Sequence, residues 1–131
     1  MLSETDQNGG RVLIVEDDAD LVNLTTHWLE RAGYGVLHAG DGAAALAILA
    51  KDPLPALVLL DIMLPKVDGF EVLRRVRADP RMKTLPVIMV TSFSRDKDAK
   101  RARDIGANDY IVKPLMELDF LKRVEHIVKD Q

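Results

Sequence analysis

The stretch ALVLLDIMLPKVDGFEVL, residues 56–73, passes from a bare apolar run through a polar turn into helical spacing. Ala56–Leu60 carries no polar residue, which reads as a strand buried on both faces, as in a parallel sheet. Asp61 ends that run. Phe70, Leu73, Val76 and Arg77 then share one helical stripe, and Asp79-Pro80 stops it. The same strand–turn–helix unit repeats outward in both directions. Val12–Val15 precedes Leu21, Leu24, Trp28 and Leu29, closed by Gly33; Val36–His38 precedes the alanine-rich 43–49, which ends before Asp52-Pro53. Downstream, Val87–Val90 precedes Ala99, Ala102 and Ile105, capped by Gly106. Tyr110–Val112 precedes Leu118, Leu121, Val124 and Val128, with Phe120 and Ile127 widening the face. Five such units predict an α/β domain with five helices on the two faces of a five-stranded parallel sheet.

The 131 residues suffice for one domain with a substantial core, expected over residues 10–131 behind a polar tail at 1–9. The net charge of −3 argues against a dedicated nucleic-acid binder, which usually carries a basic excess. With no cysteine, the fold uses neither a disulfide nor a thiolate zinc site. No apolar stretch approaches the ~18 residues of a membrane span, and the first ten residues hold no signal-peptide core. The expectation is a cytoplasmic protein without membrane association.

Ligands of an open α/β sheet bind outside the carboxyl ends of its strands, so the residue after each run carries functional information. The first run ends in Glu16-Asp17-Asp18, the third in Asp61, the fourth in Thr91-Ser92 and the fifth in Lys113-Pro114. Only the second ends blandly, at His38-Ala39-Gly40. Each feature has a plain structural alternative: Asp18 as a helix cap, Asp61 as a turn residue, Thr91 or Ser92 as caps of the fourth helix, Lys113 as a surface amine. One cap needs one side chain, however, and leaves Glu16 and Asp17 unexplained. Carboxylates about 5 Å apart at an effective dielectric near 20 repel by roughly 3 kcal/mol, so such a cluster must share protons or hold a cation. All-oxygen donors favour Mg²⁺ or a similar hard ion such as Mn²⁺. An amine and a hydroxyl beside that ion would suit a phosphoryl group.

In VLIVEDD, LLDIMLPKVDGFEVL, VIMVTSFS and GANDYIVKPL, the sequence resembles the receiver domains of bacterial response regulators, of the chemotaxis-regulator type, from Gly10 to Val128. The resemblance implies a flavodoxin-like, doubly wound sheet of order 2-1-3-4-5. It also implies a signalling phosphoacceptor rather than an enzyme. Asp61 would accept the phosphoryl group from a histidine kinase or histidine phosphotransfer protein. Asp17, Asp61 and the backbone carbonyl of Met63 would hold the metal directly, and Glu16 through water. Thr91 and Lys113 would bind phosphoryl oxygens, and Tyr110 would change rotamer with Thr91. Asp68-Gly69 would close the loop, with glycine free to take a positive φ. The Lys113-Pro114 bond would be cis, and Met63 and Phe93 would flank the approach of hydrolytic water. Output would pass through the fourth helix, fifth strand and fifth helix to a downstream protein, with a phosphorylation-dependent dimer as one form of it.

Rival functions fit less well. Gly40-Asp41-Gly42-Ala43-Ala44-Ala45 matches a dinucleotide fingerprint but follows the second strand, where that fingerprint belongs to the first. A haloacid-dehalogenase-like phosphatase needs an aspartate where Met63 stands. DNA contact through Arg95, Lys97, Lys100, Arg101 and Arg103 is countered by the interspersed Asp96, Asp98 and Asp104, so no direct nucleic-acid partner is expected.

Overall fold

The computed structural model describes residues 10–129, and the expected tail at 1–9 lies outside the described residues. Five strands are present: β1 (Arg11–Val15), β2 (Gly35–Ala39), β3 (Leu57–Leu60), β4 (Val87–Thr91) and β5 (Asp109–Val112). They alternate with α1 (Ala19–Arg31), α2 (Gly42–Leu49), α3 (Gly69–Ala78), α4 (Asp96–Ile105) and α5 (Glu117–Lys129). All pairings are parallel, in the order β2-β1-β3-β4-β5, which is the expected flavodoxin-like topology.

Alternation along the strands divides the core in two. Val12, Ile14, Leu57, Leu59, Ile88 and Val90 belong to one layer, with Trp28 and Leu29 of α1 and Phe120 and Val124 of α5. Leu13, Val15, Val58, Leu60, Val87 and Met89 belong to the other, with Leu49 of α2, Leu73 of α3 and Ala102 of α4. Covered on both sides, the three inner strands have no solvent face to mark with polar residues, which explains their unbroken apolar runs.

Aspartates start three of the helices. The Asp18 carboxylate accepts from the amides of Asp20 and Leu21, that of Asp41 from Ala44, and that of Asp68 from Glu71. The plain alternative for Asp18 is therefore correct. It fails for Thr91 and Ser92, because α4 begins after Arg95 and has no side-chain cap.

Two apolar stripes sit differently from expectation. Leu24 is 45% exposed, while Val22 and Thr25 are buried. Thr25 can occupy the core face because its hydroxyl donates to the Leu21 carbonyl at 2.8 Å. Leu118 is 75% exposed, since it lies two residues, about 200° around the helix, from the buried Phe120. Arg77 shares the stripe of α3 but does not end in the core. Its guanidinium donates to the carbonyls of Leu85 (2.6 Å) and Gly106 (2.9 Å) and to the Asn108 side chain (2.9 Å), tying α3 to the turns flanking β4 and β5.

Candidate functional site

Three strand ends converge. The Lys113 ammonium, just past β5, donates to Glu16 Oε1 at 2.7 Å and Asp61 Oδ2 at 3.0 Å. Glu16, Asp17 and Asp61 each offer a carboxylate oxygen, and these lie within 4.8 Å of one another. Glu16 and Asp61 are buried, whereas Asp17 is exposed. Local backbone fixes the buried pair: Glu16 Oε2 accepts from the Asp18 amide at 3.1 Å, and Asp61 Oδ1 from the Met63 amide at 3.3 Å. The Lys113-Pro114 bond is cis, as the resemblance implied, and so is Asp52-Pro53.

The charges are strongly coupled. Burial pushes the Glu16 carboxyl above its ordinary range, and Asp61 adds to the rise, against the pull of the Lys113 ammonium. Burial alone would lower the Lys113 pKa, but hydrogen bonds and attraction to Glu16 and Asp61 together outweigh it and hold the amine above its usual value. One ammonium faces three carboxylates, so the cluster keeps an excess of negative charge. The donor set is all oxygen, and Asp17 opens it to solution. Those features fit a hard divalent ion that retains several waters, Mg²⁺ or Mn²⁺.

Thr91 is fully buried at the end of β4, and its hydroxyl accepts from the Phe93 amide at 3.2 Å. Tyr110 is half-buried, with its hydroxyl donating to the Phe93 carbonyl at 2.7 Å. The 91–93 turn thus joins the proposed hydroxyl ligand to the proposed switch residue. Met63 is 63% exposed, and the half-buried Phe93 ring lies 5.8 Å from the Arg95 guanidinium carbon. Arg95 Nε also donates to the buried Asp98 carboxylate at 2.8 Å, bracing the uncapped start of α4.

Two features escaped the sequence. His38, on the strand whose end looked bland, places Nε2 2.8 Å from the Glu16 carbonyl oxygen. Nothing in spacing marks such a contact, because it crosses between neighbouring strands. The second is a correction. Gly69 does not take a positive φ; among the described residues the glycines that do are Gly10, Gly33 and Gly106, and the loop's left-handed residue is Lys66, at φ 69°. Gly69 is required for room instead, since a Cβ there would lie 2.1 Å from the carbonyl oxygen of Asp61.

Residues 12–125 match the family model described as the response regulator receiver domain. Among curated relatives, the DNA-binding dual master transcriptional regulator RpaA of Synechocystis is 42% identical over 91% of this chain and 49% of its own length. The chain thus spans about half of that relative. Among solved structures, the signal receiver domain of a signal transduction histidine kinase from Syntrophus aciditrophicus superposes with a TM-score of 0.85 at 31% identity, covering 92% of this chain and 91% of that one. The Mn²⁺-bound form of response regulator Rcp1 superposes with a TM-score of 0.79 at 31% identity, covering 90% and 91%.

Proposed function

Because the chain belongs to the response regulator receiver domain family, we propose that Asp61 accepts a phosphoryl group from a histidine kinase or histidine phosphotransfer protein. The domain proposed to do so spans residues 10–131. The observation that carries this reading is the Lys113 ammonium held on both Glu16 and Asp61 beside an acidic cluster. A carboxylate oxygen of Asp61 attacks phosphorus, the bond to the donor's nitrogen or acyl oxygen breaks, and its electron pair leaves with the donor. Bound Mg²⁺ or Mn²⁺ supplies positive charge for the phosphoryl oxygens. Asp17, Asp61 and the Met63 carbonyl would hold the ion, and Glu16 would contribute through water. Lys113 and Thr91 bind the transferred oxygens, replacing the bonds that Lys113 makes to carboxylates at rest.

The test is incubation with acetyl phosphate and Mg²⁺, followed by trapping and mapping of the modified residue. Label is expected on Asp61, with none in Asp61→Asn or after chelation of the metal, because the cluster otherwise repels the incoming phosphate. Undiminished label in Asp61→Asn overturns the reading.

Output is assigned to the face of α4, β5 and α5, for a downstream protein or a second phosphorylated copy. On its inner side α4 buries only Asp98 and Ala102, with Ala99 and Ile105 half-covered, so little apolar area anchors it and a few kcal/mol at the site can shift it. Movement of Thr91 toward the phosphoryl group disturbs the 91–93 turn and with it the Tyr110 hydrogen bond. Amide exchange with and without beryllofluoride is expected to change most on that face. Changes confined to residues 19–50 would contradict the assignment. Among the described residues no helix is long and apolar enough to cross a membrane.

A further inference from the structure

The segment GDGAAA at residues 40–45, set aside above as a nucleotide fingerprint, meets the phosphoacceptor loop from the side. Gly42 opens α2, and a Cβ built there would lie 1.9 Å from the carbonyl oxygen of Val67 and 2.8 Å from both its carbonyl carbon and its Cβ. Non-bonded atoms do not approach so closely, so helix and loop touch backbone to backbone. Gly42 is absent from the glycines of positive φ, and the requirement is therefore space rather than conformation.

Polar contacts follow the same seam. The Gly42 amide lies 3.5 Å from the Pro65 carbonyl oxygen, and the Lys66 ammonium lies 3.6 Å from the Asp41 carboxylate. Lys66 is also the one non-glycine residue of positive φ among the described residues, so the loop's left-handed residue lies where it meets α2. At its other end the loop is pinned by the Gly69 amide, which donates to the Ile62 carbonyl at 2.8 Å. Met63 lies between these two fixed points, and its own amide holds Asp61 Oδ1.

We infer that the first turn of α2 is the seat of the 62–68 loop, with Gly42 a positioning residue that sets where the Met63 carbonyl stands relative to Asp61. This rests on the metal role proposed above for Met63. A methyl group at residue 42 would displace the loop, and the Met63 carbonyl with it, whereas Asp17 lies outside that loop.

The test is a titration of the full chain with Mg²⁺ alone, read by the amide NMR signals of Asp61 and Met63. Wild type, Gly42→Ala and Gly40→Ala are compared. A Cβ at residue 40 meets nothing within 4 Å, so Gly40→Ala is expected to bind Mg²⁺ like wild type. Gly42→Ala is expected to bind about tenfold more weakly, the loss typical when the groups behind metal ligands are disturbed. Its phosphorylation by acetyl phosphate is expected to recover when Mg²⁺ is raised to saturation. Recovery by metal separates a misplaced ligand from a damaged fold. Should Gly42→Ala fail to fold, Val67→Gly adds no atom, frees the loop from its packing on α2, and is expected to weaken Mg²⁺ by a smaller factor. Equal affinity in Gly42→Ala and Gly40→Ala, or in Val67→Gly and wild type where only that variant folds, overturns the inference. A wild type that binds no Mg²⁺ removes the metal role itself, a distinct failure.

Discussion

Lys113→Met is expected to destabilise the metal-free protein by about 3 kcal/mol at neutral pH, because removing one partner leaves the other charges buried and unmatched. It is also expected to slow phosphorylation of Asp61 by a factor on the order of a hundred, the usual cost of losing one donor to developing charge. The Lys113 side chain is only 18% exposed, and its partners Glu16 and Asp61 are 5% and 7% exposed, so water entering beside Asp17 compensates for its loss only in part. The sign of the pH dependence follows from Glu16. Burial already places its carboxyl above the ordinary range, and Lys113, ahead of the Asp18 amide, is the main group that pulls it back. Without Lys113 that pKa rises further, so the stability deficit is present at pH 7 and shrinks as pH falls through it. In wild type, Lys113 with its raised pKa contributes fully below the ordinary lysine range and loses its contribution as pH rises through the folded value. Mg²⁺ is expected to restore much of the variant's stability, by neutralising the carboxylates, and little of its phosphorylation. Denaturant titrations at pH 5 and pH 7, with and without Mg²⁺, check this. A deficit that does not depend on pH or metal refutes the electrostatic account.

Gly69→Ala is the second large effect. A Cβ at that position would lie 2.1 Å from the Asp61 carbonyl oxygen and 2.8 Å from Ile62 Cα, both backbone atoms with no rotamer to yield. Either α3 backs away, at a cost of about 3 kcal/mol, or the peptide after Asp61 moves. The second outcome carries the carboxylate with it, and a displacement of about 1 Å can cost a hundredfold in rate. Gly33→Ala is the informative contrast. Gly33 has φ 100° and nothing within 4 Å of a Cβ, so alanine there strains the backbone by about 1–2 kcal/mol without touching the site. Acetyl phosphate labelling, corrected for the folded fraction, is expected to fall in Gly69→Ala and hold in Gly33→Ala. Equal labelling of the two would remove Gly69 from the geometry of the site.

The fold was legible because its inner strands announce themselves. Val87–Val90 and Leu57–Leu60 are covered on both sides, and such runs have one plain reading. The strand ends then gave the site, since topology brings Glu16, Asp61 and Lys113 to one edge whatever the loops do. What stayed hidden depends on distances between separate segments. Leu24 and Leu118 fit a helical period but lie off the buried face, because a period fixes spacing and not which face meets the sheet. Asp98 reads as one more charge on a solvated helix, yet it is buried against the start of α4 with Arg95. Gly42 and Gly69 look like ordinary helix-start glycines; the close approach that requires them is visible only once Val67 and Asp61 are placed.

The contact between Lys113 and Glu16 spans 97 residues, and that between Lys113 and Asp61 spans 52. During synthesis the acidic residues therefore leave the ribosome long before the amine that neutralises them. A nascent chain extending only through β4 already carries Asp61 but lacks Lys113. On the function proposed above, competence to accept a phosphoryl group would arrive only when β5 has paired along β4 and brought Lys113 across the sheet edge. Contacts of such wide sequence separation form late, since chain entropy must be overcome before they yield any stabilisation. The same lysine would thus tie phosphorylation to completed folding: a copy lacking that last pairing is expected to be a poor phosphoacceptor.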